Sequence, residues 1–384
     1  MIDNHSGASA TPLIDNGRIT VDLAALAANW QRLAGLMAEG AACGAAVKAD
    51  CYGLGDAPCL QALWAAGCRT YFVATPQEGA AVRRHLPDAT VYILNGLYPG
   101  AAGFYAANGL RPCLGSPDEI ADWRNAGAPL PAALHVDTGI SRLGLTAEEA
   151  SALAASLADG SPLELSLIMS HLACADAPGD RMNQAQLARF RALADLFPGV
   201  PRSLANSAGI FLGPDFHFEL ARPGIALYGG QASAMEESRL DPVVTLEVRI
   251  LQVHTLPKGA PIGYGATFTA PRDMRVAMVA AGYADGFLRA AGSTDSKAGA
   301  EAWLAGHRLP ALGRVSMDMS AFDISDVPED IAVRGAFVEL FGRNVSVDET
   351  ASRAGTIGYE LLTSLGHRFA HRYVGAPSDG GERP

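Results

Sequence analysis

The sequence predicts an α/β fold, a (β/α)8 barrel of the TIM type followed by a mostly β C-terminal domain. Three observations carry this reading. Between residue 17 and about residue 230, eight short apolar segments alternate with helix-length amphipathic inserts. No G-x-G-x-x-G follows the first of these segments, and an open dinucleotide-binding sheet would have about five or six strands rather than eight. From about residue 240, stretches such as VVTLEVRILQV, RVAMVAAGYADGF and AFVELFG alternate with Gly, Pro and Asp turns, without long helical inserts. The expected division is therefore a barrel over residues 17–238 and a β domain over 239–384, with Gln231–Leu240 as the linker.

The strand segments are Ala45–Lys48, Tyr71–Ala74, Val91–Leu94, Leu110–Leu114, Ala132–Val136, Leu163–Ser170, Ser203–Asn206 and Phe218–Ala221. Helices are expected over APCLQALWAAG, TPQEGAAVRRHL, SPDEIADWRNAG and NQAQLARFRALADLF. Ser116-Pro117-Asp118-Glu119 is a helix start, with a hydroxyl cap, proline in the first turn and acids near the positive end. Ala291–Ala300 reads as a mobile surface loop, TIGYELLTSLGHRFAHRYV as a short helix, and the last ten residues as disordered.

Composition limits the function classes. The 384 residues are 49% hydrophobic, ample for a large core. Twenty-nine Lys and Arg against forty Asp and Glu give a net charge of −11, with no basic block. That balance argues against nucleic acid or an anionic membrane surface as a partner. The cysteines Cys43, Cys51, Cys59, Cys68, Cys113 and Cys174 form no C-x-x-C pair and read as reduced thiols. The first sixteen residues lack the cationic start and apolar run of a signal peptide, and no apolar stretch is long enough to span a bilayer. The expected location is the cytoplasm.

One stretch invites chemistry. In GAAVKADCYGLG, Gly44 to Gly55, a buried strand runs directly into Lys48. Desolvation there would disfavour the ammonium form and make the amine nucleophilic, which suits Schiff-base formation. The following Tyr52 and glycines could hold a phosphate. A lysine that merely snorkels from a strand end fits equally well at this point. The barrel reading adds that active groups belong at the C-terminal ends of strands. Those ends carry Lys48, Asp137 and Arg142, His171, Asn206 and Ser207, and Arg222. Caps and salt bridges account for one or two such groups, not for the whole set.

Other motifs weigh less. His367 and His371 in HRFAH have the spacing of two ligands on a helix, but no glutamate lies between them and no third ligand is evident. Asp137-Thr138-Gly139 has no second copy with which to share a proton. Tyr264 sits between glycines, which either exposes it for function or marks an ordinary turn.

Taken together, AAVKADCYGLG, HVDTGISRLG, SHLACAD, ANSAGIF, ARPGIALYG, GYGATF, GYADGF, GRVSMDMS and TIGYELL resemble one family in order and spacing, the alanine racemases. The resemblance implies an enzyme dependent on pyridoxal 5'-phosphate that interconverts L- and D-alanine, supplying D-alanine for cell-wall peptidoglycan. It implies a homodimer whose partner's β domain completes each site, with residues 1–16 joining the β domain. Lys48 would bind the cofactor aldehyde as a Schiff base and serve as one catalytic base, with Tyr264 of the other subunit as the second. Tyr52, Ser207, Gly224, Ile225 and Tyr359 would hold the phosphate, with Asn206 nearer the cofactor. His171 would bond the tyrosine and Arg222 would face the pyridine nitrogen. Arg142 would bind the cofactor phenolate and the substrate carboxylate, the backbone of Met317 would meet that carboxylate, and Tyr283 would narrow the entrance. No metal is implied.

One position departs from the family. In many members the residue seven before the arginine of TGxxRLG is a lysine carrying a carbamate that orients it; here it is His135, so Arg142 must be held otherwise. Ser316 replaces the usual cysteine before Met317. Rival readings are a broad-specificity or serine racemase, a decarboxylase of the same architecture and a non-catalytic cofactor carrier. The decarboxylase would place an acid where Arg222 stands, and the carrier would lack Tyr264 and the second domain.

Overall fold

The computed structural model describes residues 15–235 and 240–375. The chain begins with strand β1 (Gly17–Asp22) and helix α1 (Leu23–Gly35), joined at Asp22, whose side chain caps the helix by accepting the N–H of Ala25. Strands β2 (Ala42–Cys43) and β3 (Ala45–Ala46) are two halves of one segment interrupted at Gly44. There follow α2 (Lys48–Gly53), α3 (Asp56–Ala66), β4 (Thr70–Val73), α4 (Pro76–His85), β5 (Thr90–Ile93), α5 (Ala102–Ala107), β6 (Leu110–Leu114) and α6 (Pro117–Asn125). The alternation continues through β7 (Ala132–His135), α7 (Ala147–Ala158), β8 (Leu165–Met169), α8 (Arg181–Ala194), β9 (Arg202–Ser203), α9 (Ser207–Phe211) and β10 (Leu220–Ala221).

The helix start expected at Ser116 is present, and two others are capped in the same local way. Thr75 and Glu78 form a reciprocal capping box on α4, Thr146 and Glu149 another on α7, and the Ser116 hydroxyl accepts the N–H of Glu119 on α6.

Strands β3 to β9 form one parallel sheet in chain order. Its two edges meet through β10. On one side β10 pairs with β2, and Gly44 and Ala46 donate to the carbonyls of Ala221 and Pro223. On the other, Arg222 donates to Ala205 and bridges Asn206. The ring is filled by Ala46, Phe72, Tyr92, Cys113, Ala133, Leu167, Met169 and Leu220, a core separate from the larger one under the helices. Strands contributing inward side chains to a packed interior are what barrel closure requires.

The second sheet is built on the long strand β11 (Val244–Leu256). After the short hairpin β12 (Pro261–Ile262) and β13 (Phe268–Thr269) come β14 (Met274–Val279), β15 (Glu301–Leu304), β16 (His307–Pro310), β17 (Ser320–Asp323) and β18 (Phe337–Phe341). Helices α10 (Val347–Ala354) and α11 (Gly358–Thr363) and strand β19 (Ala370–Val374) complete it. Around β11 lie β18, β14 and β1, and β19 pairs in parallel with the outer edge of β1.

Several expectations change. Residues 17–22, read as the start of the barrel, form β1, a strand of the second sheet. Arg18 explains part of this, pairing with Glu247 at 2.7 Å and lying over the Phe337 ring. The TIGYELL segment is helical only to Thr363, and HRFAH does not continue it: His371 lies in β19, opposite Ile19. The alternation in AHRYV serves pairing with a strand some 350 residues away in sequence, which no local pattern announces. Residues 291–300 include buried Ala291, Ser293 and Ala300, anchored where Ala300 donates to Ala291 at 2.7 Å. Residues 1–14, the 238/239 boundary and the last nine residues lie outside the described part.

Candidate active site

Beyond β3 the backbone does something that hydrophobic periodicity cannot signal. Ala49, Asp50, Cys51 and Tyr52 all have φ between 52° and 59°, a complete left-handed turn of non-glycine residues. Each such residue costs about 1–2 kcal/mol, so neighbouring interactions must hold the turn in place. Glu78 accepts the N–H of Ala49 at 2.9 Å with one carboxylate oxygen and those of Ala74 and Thr75 with the other. Asp50 accepts the N–H of Asp56 at 2.7 Å. The Tyr52 ring packs 4.6 Å from that of Tyr228. The glycines that follow have φ of +83° (Gly53) and +97° (Gly55) and lie against the Leu362 carbonyl and the Tyr373 hydroxyl of the second domain. They are therefore explained by close domain approach, not by the phosphate-holding role read from sequence. The strained turn directs Lys48 and Tyr52 into one cavity.

That cavity, of about 290 Å³, opens at the C-terminal ends of the barrel strands. It brings together Lys48, Tyr52, Arg142, His171, Asn206, Ser207, Arg222, Gly224 and Ile225, with Tyr359 contributed by α11. Its remaining walls include Phe72, Leu94, Asn95, Met169 and His135. Three cationic side chains and no Asp or Glu line it.

Burial and the nearby Arg142 lower the Lys48 pKa, although Glu78 opposes them. Burial, then Arg222 and Arg142, push His171 down to about 3 and His135 down to about 4, so both are neutral at physiological pH. Arg222 is buried and pushed down by burial to about 10, still charged at neutral pH. Its guanidinium donates to the Ser170 carbonyl at 2.6 Å and to the Ser203 hydroxyl, which in turn donates to Leu220. Ser170 and Ser203 escaped the sequence reading, since nothing local identifies the partner of a buried arginine.

At one end the cavity offers hydroxyls and amides. The Ser207 hydroxyl accepts the N–H of Gly224 at 2.7 Å and of Ala226 at 3.3 Å, tying two short turns together. Both turns begin here, at Ser207 and at Ile225, where the first N–H groups have no intrahelical acceptor. Asn206 spends its side-chain oxygen capping Gly209 at 2.9 Å. With Tyr52 and Tyr359 adjoining, this end is a neutral donor-rich cradle, and the cationic wall lies beyond it. Such a combination suits a ligand that carries a phosphate and further anionic groups. Lys48 supplies an amine that can attack a carbonyl.

Asp137 has a structural task, accepting the N–H groups of Gly139 and Ser141 with one oxygen and so shaping the loop that carries Arg142.

Three predicted residues are not in this cavity. Tyr264 is 71% exposed on the turn between β12 and β13. Met317 is 52% and Tyr283 42% exposed. Their turns share one face of the second domain: Gly263 lies against Arg314, Tyr283 donates to the Ser316 carbonyl at 3.0 Å and Ala284 to the Met317 carbonyl at 2.9 Å. Met319 and Ile357 are exposed as well.

Comparison with known proteins agrees with the architecture. Residues 21–232 match the family described as alanine racemase, N-terminal domain, and residues 243–373 match alanine racemase, C-terminal domain. The alanine racemase of Rhizobium meliloti (strain 1021) is 48% identical over 369 residues, covering 94% of this chain and 97% of its own length. Among solved structures, the Bartonella henselae alanine racemase with covalently bound pyridoxal phosphate superimposes with a TM-score of 0.87 at 37% identity, covering 94% of this chain and 99% of that one. The biosynthetic alanine racemase of Pseudomonas aeruginosa gives a TM-score of 0.87 at 34% identity, with the same coverages.

Proposed function

This chain belongs to the alanine racemase family, is a pyridoxal-phosphate-dependent isomerase and interconverts L- and D-alanine; we propose that it does so with two opposed bases, Lys48 of one subunit and Tyr264 of the other, in a homodimer. The observation that carries this reading is the separation within one chain: a cavity of cations, hydroxyls and amides around Lys48, and Tyr264 standing 71% exposed outside it. A second copy would bring the face of Tyr264, Tyr283 and Met317 over the cavity mouth and exclude water from it.

The cavity fits the cofactor on its own chemistry. Lys48 would hold its aldehyde carbon covalently. The hydroxyls of Tyr52, Ser207 and Tyr359 and the amide of Ile225 would hold the phosphate, joined by the Gly224 amide once it exchanges its bond to Ser207, with Asn206 beside them. Arg142 would meet the phenolate oxygen and the substrate carboxylate. Pyridoxal phosphate, when bound, supplies the electron sink that makes the alanine Cα–H acidic. Arg222, its guanidinium fixed by Ser203 and Ser170, would limit that sink if it faces the ring nitrogen, because a guanidinium does not give up its proton.

The bases divide the work by face. Lys48, its ammonium disfavoured by burial, removes or returns a proton at Cα on one side. Tyr264 does the same on the other, so removal by one and delivery by the other inverts the carbon. His171, kept neutral by burial and the neighbouring arginines, would bond the tyrosine hydroxyl. Tyr283 and the Met317 backbone would confine the substrate side chain, favouring a methyl group over larger ones. We assign the D-alanine to peptidoglycan supply in the cytoplasm; among the described residues no helix is long and apolar enough to cross a membrane.

Subunit complementation tests the shared site. Lys48→Ala and Tyr264→Ala are each expected to abolish racemisation. When the two proteins are unfolded, mixed and refolded, half of the dimers are hybrids in which one of the two sites is wild type, so about a quarter of wild-type activity returns. No recovery from a mixture shown to contain hybrids would place both bases in one chain and overturn the proposal.

A further inference from the structure

Arg142 and His135 line the same cavity, and each lacks something. Arg142 makes no ion pair or hydrogen bond among the described residues. The nearest carboxylate in its loop, Asp137, points one oxygen at the amides of Gly139 and Ser141, and no acid lines the cavity. An unheld arginine is a poor clamp, since its long side chain keeps rotamer freedom that binding would have to remove. His135, the last residue of β7, is 4% exposed, and its Nε2 is buried without a partner. A buried nitrogen left without a partner has lost its hydrogen bonds to water with nothing in return.

Each defect supplies what the other needs. A guanidinium has only donors to offer, and a neutral imidazole has one acceptor nitrogen. We infer that His135, carrying its proton on Nδ1, accepts a hydrogen bond at Nε2 from Arg142 in the loaded enzyme and thereby aims Arg142 at the substrate carboxylate. His135 is thus a positioning residue, acting through Arg142 rather than on the substrate.

The surroundings keep the acceptor available. Facing His135 are Arg222 from the segment just after β10, Arg142 and Asp137 from the loop after β7, and His171 from the loop after β8. Burial and the two arginines dominate over Asp137 and hold the ring neutral. Gly144 leaves room for the ring, since a Cβ there would lie 3.1 Å from its Cδ2. A neutral acceptor needs no carboxylate beside Arg142, so the positive charge of Arg142 remains uncompensated for the incoming anion.

This inference rests on the alanine racemase reading, and its test separates the two. The wild-type, His135→Leu and His135→Gln holoenzymes are titrated with propionate, which has the substrate carboxylate without the amine, and binding is followed by visible absorbance. KM and kcat for alanine are measured alongside. H135L is expected to weaken propionate binding and raise KM by about tenfold or more, with a smaller change in kcat. H135Q, which restores an acceptor at similar reach, is expected to recover most of both. Wild-type propionate affinity and KM in H135L, or no rescue in H135Q, would overturn the inference. Should H135L not fold, the wild-type holoenzyme labelled with 15N-histidine decides: an unprotonated Nε2 at His135 supports the inference and a protonated Nε2 overturns it. Failure of the wild-type holoenzyme to racemise alanine would instead overturn the family activity, without altering the tautomer result.

Discussion

Gly224 lies so close to the Tyr52 hydroxyl that a Cβ at that position would overlap it. The same glycine donates to Ser207 at 2.7 Å, so three cradle residues share one narrow contact. Gly224→Ala is expected to displace the Tyr52 hydroxyl and lower cofactor affinity by about tenfold or more. Equilibrium titration of the cofactor-free protein with pyridoxal phosphate checks this. An affinity equal to wild type would remove Tyr52 and Gly224 from the phosphate site.

Lys48→Ala is expected to abolish both the visible absorbance of covalently held cofactor and racemisation, while far-ultraviolet circular dichroism stays unchanged. The residue opens the left-handed turn and is not part of its hydrogen-bonded support, which comes from Glu78 and Asp50. Activity retained in the variant would end the assignment of Lys48.

Tyr264→Phe separates the two faces. The equilibrium constant between enantiomers is one, so kcat/KM must fall equally in both directions, and the asymmetry has to be read elsewhere. In deuterium oxide, one alanine enantiomer is expected to keep exchanging its α-hydrogen, because Lys48 still serves that face, while the other loses exchange by about a hundredfold or more. Proton NMR distinguishes them. Equal exchange losses for both enantiomers would contradict the division of labour.

The two buried histidines predict a pH dependence of stability. Their folded pKa values, about 3 for His171 and about 4 for His135, lie below the unfolded value of about 6.5. Between these limits the unfolded chain binds more protons than the folded one. The stabilisation from keeping both rings neutral is therefore complete above the unfolded pKa and lost as pH falls toward the folded values, at up to about 1.4 kcal/mol per pH unit for each histidine. Denaturant melts of cofactor-free wild type, H135Q and His171→Gln between pH 7 and pH 5 check this. The wild type should lose more stability on acidification than either variant, and parallel losses would exclude these rings as the cause.

The chain's local chemistry made much of the site legible. Lys48, Arg142, His171, Asn206, Ser207 and Arg222 were readable as polar groups closing apolar strands, because a barrel sends all strand ends to one rim. The supports of those groups were not. Glu78 lay unremarked in a helical segment, and its contact with Ala49 exists because α4 packs beside the left-handed turn. Ser203 and Ser170, which fix Arg222, come from the end of β9 and the residue just beyond β8. Residues 367–374 misled the reading, since the helix before them ends at Thr363 and β19 takes its form from β1.

The sequence by itself determined the alternation of strands and helices, the helix caps and the identity of the groups at the rim. These depend on periodicity and on residues within about four positions of one another. The tertiary structure decided what those groups touch. It bent Ala49 to Tyr52 into a left-handed turn, seated Gly53 and Gly55 against the second domain, left His135 and Arg142 to face one cavity and put Tyr264 outside it. Each of these depends on contacts between segments far apart in the chain, whose energies no local window contains.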